Sequence, residues 1–108
     1  MDGRLKYHHL SIPISSKIEG EIYLKDFKCF QSGLETSEFG IELMRYEKES
    51  TLPEILKTKP HIAFEVPNIS EFIKNKKVIV APRSLPQGRT VAFIEESNIP
   101  IELIQIKE

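Results

Sequence analysis

The chain has 108 residues, room for one domain or for two small modules sharing a core. Its 15 lysines and arginines against 16 aspartates and glutamates give a formal net charge of −1, so no cationic excess is available to neutralise a phosphate backbone and nucleic acid is not expected as a partner. Hydrophobic residues at 40% and charged residues at 29% suit a packed core and exclude a wholly disordered chain.

The first strand is expected over Lys6 to Ile14, where His9 alternates with Leu10. Only six residues, Ser15 to Gly20, separate it from a longer extended segment over Glu21 to Ser32, too few for a helix. A third strand follows from Phe39 to Tyr46. Ser50 to Lys57, with Pro53 near its start, reads as a short linking helix. Pro60 to Val66 alternates Ile62, Phe64 and Val66 against His61, Ala63 and Glu65, the pattern of a half-buried strand. Asn68 or Ser70 can cap a helix over Ile69 to Lys76. Lys77 to Val80 is the next strand, Pro82 to Gly88 a turn-rich loop, and Arg89 to Glu95 and Ile99 to Ile106 the last two strands.

The lone cysteine, Cys29, has no partner for an internal disulfide, and no apolar run approaches the roughly 18 residues of a membrane span, so no membrane association is expected. Polar His8, His9 and Ser11 interrupt the apolar stretch that a secretory leader needs, and the expected location is the cytosol.

The chain repeats itself. His9-Leu10-Ser11-Ile12-Pro13-Ile14 answers His61-Ile62-Ala63-Phe64-Glu65-Val66, and Gly40-Ile41-Glu42-Leu43-Met44 answers Pro100-Ile101-Glu102-Leu103-Ile104. The histidines lie 52 residues apart and the glutamates 60, so the modules are unequal, with boundaries near 5–47 and 60–107 and a linker over 48–59. The second has the order β-α-β-β-β; the first lacks most of its helix. If a pseudo-two-fold axis relates them, His9, Glu42, His61 and Glu102 converge from four strands on one concavity. Two imidazoles and two carboxylates suit zinc, nickel, cobalt, manganese or iron(II). By spacing alone, two hydrogen-bonded structural histidines and two glutamates facing water are the more common outcome; that two of the chain's three histidines open the repeated strands is what favours a shared site.

These residues resemble the vicinal oxygen chelate superfamily, which includes glyoxalase I, methylmalonyl-CoA epimerase, extradiol dioxygenases and the bleomycin and fosfomycin resistance proteins. Pro60 to Val66, Arg89-Thr90-Val91-Ala92-Phe93-Ile94 and Pro100 to Gln105 look like its second module; Tyr7 to Pro13 and Phe39 to Met44 look like the edges of its first. The resemblance implies an α+β fold of paired βαβββ modules, one glyoxalase-like domain over residues 1–108, with a cupped mixed sheet around a divalent metal. It carries the four ligand places to His9, Glu42, His61 and Glu102. A full set of four is similar to glyoxalase I and the epimerase, and implies a lyase or isomerase that transfers a proton on a small oxygenated metabolite through an enolate-like intermediate, with Glu102 or Glu42 as proton carrier. An iron(II) dioxygenase would need only His9, His61 and Glu102, and a metal-free sequestration protein none of them.

On the side of Glu42 the alternation places Met44 and Tyr46, which with Arg89 are candidates to touch substrate. Arg45 falls on the other face with Leu43, and strand parity turns His8 away from His9, toward a structural or exposed role. Lys25, Lys28 and Arg83 are ambiguous between substrate and solvent. Cys29, beside Phe27 and Phe30, is expected as a buried, inert thiol. Where the first helix is missing, the cup is expected to be more open, or a second copy of the chain to cover it as a homodimer.

Overall fold

The computed structural model describes residues 5–106. In chain order its elements are strands β1 (Lys6–Pro13), β2 (Ile22–Leu24), β3 (Cys29–Ser32) and β4 (Ile41–Tyr46), helix α1 (Glu54–Thr58), strand β5 (His61–Glu65), helix α2 (Ile69–Phe72), and strands β6 (Lys77–Leu85), β7 (Arg89–Glu96) and β8 (Ile99–Ile106). All eight strands join one mixed, curled sheet in the order β2-β3-β4-β1-β5-β8-β7-β6, an α+β architecture.

The strand order reads outward from a seam. In each half the first strand lies innermost and pairs in parallel with the fourth, β1 with β4 and β5 with β8; the third and second strands follow toward the edge. At the seam β1 and β5 run antiparallel, with Leu10 opposite Ile62, His9 opposite Ala63 and Ser11 opposite His61. Exchanging the halves maps these last two pairs onto each other. The outer pairings obey the same exchange, Ser11 lying opposite Glu42 and Ala63 opposite Glu102.

Alternation along β7 and β8 divides the second half into two packed faces. Ala92, Ile94 and Leu103 pack with Val66 and with Ile69 of α2, flanked by Phe72 and Ile73, and this is the larger core. Val91 and Ile104 face the other way, with Ala63 and flanking Phe27 and Leu85, toward the cavity. The β7–β8 hairpin turns on Ser97 and Asn98, both at positive φ (52° and 65°), which matches the right-handed twist of a two-residue hairpin.

Three local expectations need correction. Glu21 to Ser32 breaks into the β2–β3 hairpin, turning at Lys28 with φ 50°. The helix expected over Ile69 to Lys76 ends at Phe72, and the chain turns through Asn75 at φ 64°; of its two candidate caps Asn68 serves, its side chain accepting the Glu71 N–H at 3.0 Å. Pro82 to Gly88 is not one loop. β6 runs on to Leu85, and only Pro86–Gly88 forms a 3₁₀ turn. Pro82 is tolerated because β6 is an edge strand, with irregular pairing between Val80 and Arg83.

The shortened connection between β1 and β2 leaves the outer face of the first half without a counterpart to α2. There the Arg45 guanidinium lies 4.2 Å above the Phe30 ring and grips Glu21 through two hydrogen bonds of 2.7 and 2.8 Å. The residue at the matching place in the second half, Gln105, instead accepts the Ile69 N–H that opens α2, at 2.8 Å. Among the described residues no helix is long and apolar enough to cross a membrane.

Candidate metal centre

A cavity of about 350 Å³ opens on the face opposite α2. Its walls are largely apolar, with Phe27, Met44, Tyr46, Leu85 and Phe93 among them, and its polar floor is formed by His9, Glu42, His61 and Glu102. All four floor residues are buried. Each arrives by the same rule, since period-2 alternation places them opposite the apolar Leu10, Ile41, Ile62 and Leu103 of their own strands.

The nitrogen and oxygen atoms of these side chains crowd together. His9 Nε2 lies 3.1 Å from Glu42 Oε1 and 3.3 Å from Glu102 Oε1, which is also 3.1 Å from His61 Nε2. His9, Glu42 and His61 each offer an atom within 4.8 Å of the others. His9 Nε2 is buried without a well-directed hydrogen bond, despite the two carboxylates beside it. The spacings of 3.1 and 3.3 Å lie within the roughly 2.8–3.6 Å edges of an octahedron or tetrahedron whose metal–ligand bonds are about 2.0–2.2 Å. The His9, Glu42 and His61 donors and the orphaned nitrogen fit a divalent ion of the zinc type, and Glu102 stands against both histidines outside that group of three.

The charges are strongly coupled. Burial disfavours the imidazolium of His9, but contact with Glu102 and Glu42 outweighs it and raises the pKa to about 9. Burial likewise favours neutral Glu102, yet His61 and His9 hold its pKa down at about 2. Glu42 is lowered in the same manner, burial being overcome by His9 and by a hydrogen bond from Ser11. Without a cation the floor is therefore a compact ion-pair network.

The two carboxylates are held differently. The Ser11 hydroxyl donates to Glu42 Oε1 and the Gln31 amide to Oε2, so each oxygen has a neutral donor. Glu102 has His61 and His9 beside it, and Ala63 stands where Ser11 stands in the other half. Sequence pattern alone does not single out Ser11 or Gln31: Ser11 shares the parity of His9 and so points to the same side, whereas Gln31 reaches Glu42 only through the β2–β3 hairpin.

Met44, Tyr46 and Arg89 line the cavity, and Arg45 does not, being committed to Glu21 on the other face. Arg89 has no ion pair among the described residues. Lys25 also lines the cavity, while Arg83 donates to the Asp26 carbonyl and lies over Phe27. Burial pushes the Cys29 thiol up to about 12, which keeps it protonated.

His8 departs from its expected orientation. It is half-buried and lines the same cavity as His9. The β1–β5 pairing steps from Tyr7–Phe64 directly to His9–Ala63, so His8 is an extra residue in a β-bulge and the alternation breaks there.

No protein-family profile matches the sequence. No curated protein matches it either. Solved structures do. A hypothetical protein from Bacillus halodurans C-125 is similar with a TM-score of 0.71 and 23% identity over 96% of each chain. Methylmalonyl-CoA epimerase from Mycobacterium tuberculosis is similar with a TM-score of 0.67 and 14% identity, over 100% of this chain and 93% of that one. At these identities the likeness is one of fold, the α+β fold of the glyoxalase and bleomycin resistance type.

Proposed function

We propose that the chain is a metal-dependent enzyme of the vicinal oxygen chelate type, a lyase or isomerase that moves a proton on a small oxygenated metabolite. The observation that carries this reading is the meeting of His9, Glu42, His61 and Glu102 at the polar floor of an apolar cavity, with His9 Nε2 left between two carboxylates. These four side chains would hold the ion. A bound zinc, nickel, cobalt, manganese or iron(II) ion would supply Lewis acidity toward neighbouring substrate oxygens.

The protein's own groups divide the remaining work. Glu42, fixed by Ser11 and Gln31, is suited to a constant position as ligand. Glu102 lacks a neutral donor of that kind and is the carboxylate we assign to accept and return the substrate proton. Met44, Tyr46 and Phe93 exclude water around it, and Arg89 at the cavity wall would orient an anionic substrate group. A volume of about 350 Å³ suits a small metabolite.

Untagged protein should carry about one equivalent of metal per chain, and His61→Ala should lose it. Less than about a tenth of an equivalent after addition of zinc, nickel, cobalt or manganese would rule out the metalloenzyme and favour a binding or sequestration protein. With metal bound, deuterium exchange into α-hydroxy ketones, 2-oxo aldehydes or acyl thioesters should occur and should fall sharply in Glu102→Gln. Oxygen consumption with iron(II), in place of exchange, would move the reading to a dioxygenase.

A further inference from the structure

Adjacent residues of a regular strand point to opposite faces, yet His8 and His9 both reach the cavity because the bulge inserts His8 between paired positions. Their rings stand nearly perpendicular, 75° apart, with centroids 4.9 Å apart, and the two Nδ1 atoms are 2.7 Å from each other. The bulge is seated against Gly40, where an added Cβ would come within 3.1 Å of the His8 carbonyl oxygen and 3.5 Å of His9 Cα. The juxtaposition of the two rings is thus built into the meeting of β1, β5 and the start of β4.

Two nitrogens at 2.7 Å need one hydrogen between them, so one Nδ1 donates and the other accepts. For His9 Nε2 to offer its lone pair to a cation, the hydrogen of neutral His9 must sit on Nδ1. His8 Nδ1 is then bare and accepts it, and His8 carries its own hydrogen on Nε2. We propose that His8 is a positioning residue, whose Nδ1 holds His9 in the tautomer and ring orientation that a metal ligand requires. Metal-binding histidines ordinarily find this support in a carboxylate, a carbonyl or a water; here a second imidazole takes the place. The inference rests on the reading of His9 as a ligand.

The test compares untagged parent, His8→Leu and His8→Asn by competition for zinc against a chromophoric chelator, with metal-free melting curves alongside. His8→Leu should weaken zinc binding about 10- to 100-fold. His8→Asn, whose Oδ1 falls near the place of Nδ1 and accepts an N–H, should recover most of it. Zinc binding by His8→Leu within about threefold of the parent, or equal loss in both variants, would overturn the positioning role while leaving the metal site standing. A parent that binds no zinc would overturn the site itself. Should His8→Leu fail to fold, long-range ¹H–¹⁵N correlation spectra of the zinc-loaded parent give the answer directly: hydrogen on His9 Nδ1 and His8 Nε2 supports the proposal, and hydrogen on His8 Nδ1 overturns it.

Discussion

His9 and Glu102 are ionised partners in the metal-free chain, and their shifted pKa values become a dependence of stability on pH. The His9 pKa, raised from 6.5 to about 9, stabilises the fold fully below about 6.5, and that contribution is lost as the pH rises through about 9. The Glu102 pKa, lowered from 4.5 to about 2, adds stability above about 4.5 that is lost as the pH falls through about 2. In the presence of a chelator the melting temperature should therefore plateau between about pH 4.5 and 6.5 and fall on both sides, as a pH series of thermal melts will show; a melting temperature that climbs from pH 7 to 9 contradicts the assigned network. Strand parity reached the orientation of the four floor residues because alternation belongs to the chain itself. It does not reach His8 because a bulge belongs to a pairing: nothing between Lys6 and Pro13 reveals that the ladder to β5 passes over one residue of β1 at that point.

Among the elements, the β strands near the repeated marks were the most legible. Ile99 to Ile106 is a strand over its whole expected length, and β1, β4 and β5 lie within a residue or two of the expected spans. Failures cluster at the edges. Pro82 would break a central strand and so suggested a loop, but its place on β6, the outermost strand, leaves its missing N–H without consequence. The turn that opens β4 depends on Gly40, which combines a φ of +72° with the close approach to the His8 carbonyl. Gly40→Ala should cost about 1–3 kcal/mol in urea denaturation, because a side chain is strained at that φ and would push on the bulge. An unchanged midpoint would mean that the turn relaxes without cost. Zinc affinity should drop with it, since displacing the bulge moves both histidines.

On the scale of the whole molecule, the proposed cation site would link metal binding to folding, because His9, Glu42, His61 and Glu102 come from β1, β4, β5 and β8 and meet only when these strands are assembled. Zinc at about 100 times its dissociation constant should add about 2.7 kcal/mol, or roughly 10–20 °C in melting temperature for a chain of this size. Equal melting curves with chelator and with excess zinc would show that the ion does not bind the folded state preferentially. The repeat made the two-part sheet legible from sequence. It could not reveal what covers the outer face where the first helix is missing, since the Arg45–Glu21 grip over Phe30 joins groups 24 residues apart through a hairpin that local patterning does not specify.

The antiparallel pairing of β1 with β5 has a consequence of its own. Each half of the sheet contributes one histidine and one glutamate, and neither pair alone surrounds an ion. A slip of one residue between the two central strands would turn the side chains of one half toward the wrong face, separating His9 and Glu42 from His61 and Glu102. A divalent ion would thus discriminate among alternative alignments of the halves during folding, rewarding only the register in which Leu10 meets Ile62, so that metal would act as a proofreader of the fold as well as a reagent within it.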